Sequence, residues 1–283
     1  MLRRVAGYFT SRSPDGVPVE SIELERDGCT IIRGALGPDE VEALRQDINR
    51  VFDEYSRDDR TGGKRPEAED DMFRYEMFNR SEVCQRAIAH PRILEVIEPL
   101  LGEDCHVIAN TAWRNTPKPN DPAQAWHVDA GPHVPLPDGV EWPEDIPHPV
   151  FAIGAHIFLK DCTEGDGPTG VLPGSHLSGR FPPVDELMNE NLTYKGRGAV
   201  KLICNAGDVG LFVSDVWHRR LPTGPNDQGR FFLQVHYGRR DIAQRVRTTA
   251  QVNQVSADAI SRAGENKRAR TIIGLHSPYF YDG

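Results

Sequence analysis

The residues with the clearest chemical potential lie in the segment QAWHVDAGPH, at positions 124–133. Residues two apart on a β-strand point to the same face, so His127 and Asp129 can present an imidazole nitrogen and a carboxylate oxygen to one metal ion. A short His-x-Asp match also arises by chance in unrelated sequences. The pair therefore predicts a metal site only if a further ligand joins it.

A second histidine would complete such a site. Reactive ferrous centres use two histidines and one carboxylate on one face of an octahedron and leave three positions open. His218 is the best candidate, because a β-segment leads out of the Gly207-Asp208 turn and delivers this histidine close to its end. Taken alone, His218 is more typical of a surface or hydrogen-bonded histidine.

An arginine follows in the next apolar segment. Arg230 begins the run RFFLQVHYG, where a charge is expected only if its side chain enters a cavity that holds an anion. A guanidinium there can bind a carboxylate through two parallel hydrogen bonds. A lone arginine of this kind is more often a surface charge at a strand edge, and it is the combination with His127, Asp129 and His218 that favours an active site.

The elements that would position these residues are mainly β. From about residue 105 the sequence consists of short extended runs separated by turns, without the alternation of strands and helices that a parallel sheet needs. This pattern predicts an antiparallel sandwich or barrel. The runs are HVIANTAW, AWHVD, FAIGAHIFL, GAVKLIC, DVGLFV and RFFLQVHYG.

Helices are expected before and after this β-rich region. Gly37-Pro38 opens a helix whose apolar residues recur at three- and four-residue steps: Val41, Leu44, Ile48, Val51, Phe52 and Tyr55. Ser81 can cap a short helix through Ala89, and Pro91 starts another that ends at Gly102. A short β-branched run covers residues 29–32, a further helix is expected around residues 256–263, and the aromatic end SPYFYDG is expected to dock on the body.

Two segments are predicted to be irregular. Residues 57–71 are highly charged and broken by glycine and proline, which is typical of a solvated loop. Residues 132–149 carry six prolines directly after the His-x-Asp pair and are predicted to be neither strand nor helix. The sequence leaves open whether either loop closes over a bound substrate.

Composition limits the classes of function. With 38% apolar residues, a chain of 283 residues can bury a core. A net charge of −9 and a pI near 5.6 provide no basic field, so no nucleic-acid partner is expected. No signal peptide or apolar run of membrane-spanning length is evident. Five widely spaced cysteines suit a reducing compartment, so a cytoplasmic protein without a membrane partner is expected.

The sequence resembles the phytanoyl-CoA dioxygenase family of Fe(II)- and 2-oxoglutarate-dependent oxygenases. The resemblance covers roughly residues 22–240, and its segments occur in order. They are GxxIIRGALGPDEVEALR at 28–45, WHVDA at 126–130, GPTGVLPGSH at 167–176, AGDVGLF at 206–212 and WHRRLPTGPNDQGRFFLQVHY at 217–237. GPTGVLPGSH is the most specific, since nothing generic requires that pattern between two strands.

This resemblance implies a mainly β fold with flanking helices, a double-stranded β-helix of the jelly-roll or cupin-like kind. A single domain would cover residues 1–283, with a helical buttress at about 38–102, the β-core at about 105–240 and an extension at 241–283. By the same resemblance His127, Asp129 and His218 bind iron, and Arg230 binds the distal carboxylate of 2-oxoglutarate. Thr169 and His156 are expected to contact the same cosubstrate, whereas His176 is expected to be structural.

The chemistry implied is oxidation of a substrate C–H bond by O2, coupled to conversion of 2-oxoglutarate to succinate and CO2. Hydroxylation is expected because the carboxylate of Asp129 is present, whereas related halogenases replace it with a small residue. Desaturation, cyclisation and epoxidation stay open. With only six lysines, the chain favours a free small molecule, such as an intermediate of specialised metabolism, over an acyl-CoA.

Two other functions remain open on the same fold. One is a metal-dependent isomerase or hydrolase, which would leave Arg230 without a role. The other is a non-catalytic small-molecule-binding protein, although degenerate members usually lose a ligand residue. A monomer or a homodimer is expected.

Overall fold

A six-stranded antiparallel sheet forms the centre of the computed structural model, which describes residues 16–55, 72–129, 131–246 and 255–276. The strands of this major sheet, in spatial order, are β1 (Cys29–Ile32), β7 (Val209–Val213), β4 (Ala152–Phe158), β9 (Phe231–Gly238), β3 (His106–Arg114) and β2 (Phe73–Tyr75). A minor sheet contains β6 (Val200–Leu202), β5 (Thr169–Val171) and β8 (His218–Arg220). The prediction of a mainly β, jelly-roll fold is confirmed.

The two faces of the major sheet have different environments, because successive residues of a strand point to opposite sides. In the pairing of β4 with β9, Ala155 lies opposite Val235, and both are fully buried in the main apolar core. The next pair, His156 and Gln234, lies on the other face and lines a cavity. One face of the sheet therefore builds the core, and the other builds a site.

Helices cover the core-facing side. They are α1 (Val19–Asp27), α2 (Pro38–Glu54), α3 (Met77–Arg80), α4 (Glu82–Ala87), α5 (Pro91–Leu101), α6 (Ala257–Ala263) and α7 (Lys267–Ile272). Helix α2 buries Val41, Leu44, Ile48, Val51 and Phe52, as its periodicity predicts. Tyr55 departs from that prediction, since it is the C-cap of α2 and 41% exposed.

The predicted helix boundaries agree closely with the structure. Ser81 caps α4 by accepting a hydrogen bond from the backbone N–H of Cys84, although the helix ends at Ala87 and not at Ala89. Helix α5 begins at Pro91 and ends before Gly102, and Ser256 caps α6. Helices α1, α3 and α7 have no counterpart among the predictions.

Three strand predictions need correction. AWHVD is not a strand, because within it only His127 forms a bridge, with His218. His218 itself begins β8 after a turn and does not end the preceding strand, and Arg230 lies one residue before β9. The three-residue strands β2, β5 and β8 were not predicted.

The structure describes one of the two predicted loops. Residues 132–149 contain neither helix nor strand, as predicted. The charged segment 57–71 and the terminal SPYFYDG lie outside the described residues. Among the helices of the described ranges, none has the length and apolar character needed to cross a bilayer.

Candidate active site

His127, Asp129 and His218 lie together at the edge of the minor sheet. One ligand atom from each residue falls within 4.8 Å of the other two. The Nε2 atoms of His127 and His218 lie 3.8 and 3.5 Å from Oδ1 of Asp129. Two imidazole nitrogens and one carboxylate oxygen therefore converge on a single point.

The backbone explains why residues so distant in sequence meet. His127 and His218 exchange N–H to carbonyl hydrogen bonds of 3.0 Å in both directions. The N–H of Asp129 donates to the carbonyl oxygen of Ser214, in the turn that follows β7, at 3.1 Å. The three candidate ligands are thus held by main-chain contacts.

Hydrogen bonds also set the orientation of the two rings. Nδ1 of His127 lies 2.9 Å from the carbonyl oxygen of Ala125, and Nδ1 of His218 lies 2.9 Å from that of Val216. A carbonyl oxygen only accepts, so each Nδ1 carries the proton and each Nε2 keeps its lone pair for the point near Asp129. Metal-binding histidines are typically held in this way, and the donor set of two nitrogens and one oxygen fits ferrous iron.

The protonation preferences differ among the three groups. Burial alone would raise the pKa of Asp129, but the neighbouring imidazoles of His218, His236 and His127 outweigh it, and the pKa lies well below its usual range. Burial also opposes the charged form of His218, but the Asp129 carboxylate reverses this effect and raises the pKa of His218. The pKa of His127 is lowered by burial and by His218. The carboxylate is therefore ionised when a metal ion arrives.

The remaining predicted residues share one cavity with these three. Its volume is about 560 Å³, and Arg230, Thr169 and His156 all line its wall. Thr169 lies opposite Arg220 in the pairing of β5 with β8, two positions along from the pair formed by Val171 and His218. The structure thus places all six predicted site residues around a common space.

Arg230 has the environment expected of an anion-binding residue. Its guanidinium lies 5.3 Å from the ring centroid of Phe232, and among the described residues no carboxylate forms an ion pair with it. Burial lowers the pKa of Arg230 to about 10, so the side chain is still a cation at neutral pH. A buried cation without an anionic partner fits a dicarboxylate cosubstrate.

His156 is a neutral imidazole on the cavity wall. Burial and then the charge of Arg230 hold its pKa well below the ordinary value. Its buried Nδ1 atom has no hydrogen-bond partner among the described residues, and its ring centroid lies 4.5 Å from that of Phe232 and 5.2 Å from that of Phe212. These contacts fix the ring beside the proposed cosubstrate position.

Aromatic side chains form the rest of the wall near β2 and β3. Phe73 and Trp113 lie opposite each other in the strand pairing, with ring centroids 5.3 Å apart, and both line the cavity. Trp142 instead lines a second cavity of about 430 Å³, formed largely by residues 141–148. No described residue of the segment 132–149 lines the cavity that contains His127, Asp129 and His218.

Sequence reasoning missed two polar residues next to the three candidate ligands. Nε2 of His236 lies 3.7 Å from Oδ2 of Asp129, and Gln234 lies beside His236 on the same strand face. The available signal was the alternation in RFFLQVHYG, which places Phe232, Gln234 and His236 on one side. His176, expected to be structural, is not among the described residues that line this cavity, and its Nε2 atom lies 2.9 Å from the carbonyl oxygen of Glu25.

Comparison with known proteins identifies the family of the chain. The family model described as phytanoyl-CoA dioxygenase (PhyH) matches residues 24–226, which is more than half of the chain. This stretch includes His127, Asp129, Thr169 and His218 and ends shortly before Arg230.

Solved structures with the same fold include HygX from Streptomyces hygroscopicus with nickel and 2-oxoglutarate bound, at a TM-score of 0.59 and 18% identity over 80% of this chain and 88% of that one. The epimerase SnoN in complex with Fe3+, alpha ketoglutarate and nogalamycin RO also has a TM-score of 0.59, with 19% identity over 84% of this chain and 92% of SnoN. A further HygX structure, which has hygromycin B bound as well, has a TM-score of 0.58 and 16% identity over 80% and 88% of the two chains.

Proposed function

The chain belongs to the phytanoyl-CoA dioxygenase family and is a 2-oxoglutarate-dependent non-haem iron enzyme, and we propose that it hydroxylates an unactivated C–H bond of a neutral small molecule. The observation that carries this proposal is the placement of His127, Asp129, His218 and Arg230 around one cavity. When bound, iron and 2-oxoglutarate would activate O2 for oxidation of the substrate.

Each protein group has a defined task in this proposal. His127, Asp129 and His218 would hold the metal through Nε2, Oδ1 and Nε2, a donor set that suits a reactive ferrous centre. Arg230 binds the distal carboxylate of 2-oxoglutarate through its guanidinium. Thr169 and the neutral His156 orient the same molecule from the two sheets.

The cavity has the charge character of a site for a neutral substrate. Of its carboxylates, Asp121 is paired with Arg220, while Asp166 and Asp227 each accept one backbone N–H hydrogen bond from their own loop and one from a segment distant in sequence. Asp129 is a proposed metal ligand. Among the described lining residues, every carboxylate is thus already engaged, which argues against a polycationic substrate.

The described wall of the cavity carries few positive groups. Arg220 is paired with Asp121, the guanidinium of Arg219 packs against the ring of Trp126, and Arg230 is reserved for the cosubstrate. Lys118 is the fourth cationic side chain among the described lining residues. The several negative charges of a CoA thioester would need a larger set of cations. The aromatic faces of Phe73 and Trp113 favour a substrate with a flat apolar surface.

The first experiment measures the predicted metal and cosubstrate binding. Metal-free protein is titrated anaerobically with Fe(II), then with 2-oxoglutarate, and the visible charge-transfer band of the chelated keto acid is recorded. The proposal expects this band in the wild type and succinate formation when O2 is admitted. Metal binding without a band would contradict it and favour a metal-dependent isomerase or hydrolase.

The substrate class is tested with three probes that share one ring system and differ in charge: 2-naphthylmethanol, 2-naphthoate and 2-naphthylmethylamine. Their binding to the protein loaded with Fe(II) and 2-oxoglutarate is measured without O2. The neutral alcohol is expected to bind most tightly, and preference for either ion would overturn the proposal of a neutral substrate. For any probe that is turned over, incorporation of oxygen from 18O2 distinguishes hydroxylation from epimerisation or desaturation.

A further inference from the structure

Two hydrogen bonds lead from the aromatic wall of the cavity to His236, which lies beside the candidate metal ligands. The indole Nε1–H of Trp113 donates to Oε1 of Gln234 at 2.7 Å. Nε2 of Gln234 lies 2.8 Å from Nε2 of His236. Nε2 of His236 in turn lies 3.7 Å from Oδ2 of Asp129, whose other oxygen faces His127 and His218.

The direction of these bonds follows from the chemistry of the groups. An indole nitrogen only donates, so Gln234 presents its carbonyl oxygen to Trp113 and its NH2 group to His236. The NH2 group also only donates, so Nε2 of His236 accepts and its lone pair is engaged. Trp113 thereby sets the orientation of the amide, and the amide occupies the lone pair of His236.

His236 is a third histidine beside a site that needs only two. A facial arrangement of two histidines and one carboxylate is reactive because three metal positions are left for 2-oxoglutarate and O2. Neutral imidazole is a strong ligand for iron, and His236 is near enough to Asp129 for a modest shift to bring it to the metal. A fourth protein ligand would fill a position that the cosubstrate needs.

We propose that Gln234 is a positioning residue that keeps His236 from coordinating the metal, with Trp113 holding the Gln234 amide in the required orientation. This inference rests on the proposed function, because it assumes a metal bound by His127, Asp129 and His218. Trp113, which lines the wall of the cavity, thereby gains a role in orienting the Gln234 amide. A substrate that displaces Trp113 would also loosen the restraint on His236.

The test counts nitrogen ligands with Cu(II) as the probe. Metal-free protein is loaded with one equivalent of Cu(II), and directly bound nitrogens are counted from the hyperfine structure of the electron paramagnetic resonance spectrum. The wild type and His236→Phe are both expected to show two nitrogens. Gln234→Leu is expected to show three, and the double variant Gln234→Leu/His236→Phe to return to two.

A second readout follows 2-oxoglutarate binding to the Fe(II)-loaded proteins under anaerobic conditions. Gln234→Leu is expected to bind the cosubstrate about tenfold more weakly, within the usual range for residues that support metal ligands, and the double variant to recover. Two nitrogens in Gln234→Leu, with cosubstrate affinity unchanged, would overturn the inference. A wild type that binds Cu(II) through two nitrogens but never binds 2-oxoglutarate would instead contradict the proposed function.

Trp113→Phe provides an independent variant in case Gln234→Leu does not fold. It keeps Gln234 but removes the donor that orients the amide, so a mixture of two and three nitrogens is expected. Trp142→Phe is the matched control, because its Nε1–H donates to the carbonyl oxygen of Ile146 outside the metal cavity. A two-nitrogen spectrum for Trp113→Phe, identical to that of Trp142→Phe, would count against the role of Trp113.

Discussion

His127 and His218 are paired directly by their backbones, with a 3.0 Å hydrogen bond from each N–H to the other's carbonyl oxygen and ring centroids 4.4 Å apart. The two candidate nitrogen ligands are therefore placed by main-chain geometry, and each ring is oriented by a further bond from Nδ1 to a carbonyl oxygen. Asp129 completes the set from the segment that follows His127. Hydrogen bonds within the protein thus hold all three candidate ligands in place.

The first prediction concerns metal affinity. Asp129→Ala removes the only carboxylate of the proposed set, and Fe(II) affinity is expected to fall by at least about 100-fold, beyond the typical cost of losing a supporting residue. Calorimetric titration of the metal-free protein measures this loss. Asp138→Ala, which changes a fully exposed aspartate, serves as the control and should bind Fe(II) like the wild type. Equal affinity in both variants would remove Asp129 from the metal site.

Arg230 should separate cosubstrate binding from metal binding. Arg230→Gln removes the buried cation, so the Kd for 2-oxoglutarate is expected to rise about 100-fold, as for loss of one partner of a buried charge pair. Arg230→Lys keeps the charge but not the paired donors and should recover only part of this loss. Fe(II) affinity should change little in either variant, and the charge-transfer titration reports both quantities. A normal band in Arg230→Gln would contradict the assignment.

Gly154 is expected to be important for the packing behind His218. A Cβ atom at this position would lie 2.6 Å from the ring of Phe212, which itself packs 4.6 Å from the ring of His218. Gly154→Ala should therefore lower the free energy of unfolding by about 1–3 kcal/mol and weaken metal binding. Gly198→Ala is the control, since no atom of the described residues lies within 4 Å of a Cβ atom placed there. Urea unfolding of the metal-free proteins makes the comparison.

A pH-dependent loss of stability is expected from His176. Burial lowers the pKa of His176 in the folded chain to about 4, compared with 6.5 for the free side chain. Between these two values the unfolded chain binds a proton that the folded chain does not, so stability falls as the pH drops through this window and levels off below it. Across the whole window the folded protein loses about 3 kcal/mol of its free energy of unfolding through His176.

The variant that tests this effect is His176→Gln, whose amide can still donate to the carbonyl oxygen of Glu25 but does not titrate. Unfolding in urea is compared near pH 7.5 and near pH 4.5. Between these conditions the wild type should lose about 2 kcal/mol more than His176→Gln. Parallel losses in the two proteins would show that another group is responsible.

Much of the fold follows from periodicity alone, because long amphipathic segments leave a clear signal. Helix α2 buries its residues where the pattern places them, with Tyr55 as the exception, and strands β4 and β9 lie within runs predicted to be extended. The strands β5 and β8 contain three residues each, too few for an alternating pattern to show. At AWHVD the sequence predicts a strand that the structure does not contain. Only His127 forms a β-bridge there, because the N–H of Asp129 donates to the carbonyl oxygen of Ser214 in a turn.

The site was partly predictable for a similar reason. His127 and Asp129 were recognisable because they are neighbours in sequence, and His218 and Arg230 because each adjoins a β-run. His236 carried no comparable signal, since its proximity to Asp129 depends on how β9 pairs with β3 and β4. Only tertiary structure brings these residues together.

The two faces of strand β9 have different environments, and this has a practical consequence for protein engineering. Leu233, Val235 and Tyr237 face the helices and are fully buried, while the alternate positions face the cavity. Substitutions at other cavity-facing positions of the sheet, such as Phe73, can therefore be tested without touching the layer that holds the fold together. Selectivity for new substrates can be searched there largely independently of stability.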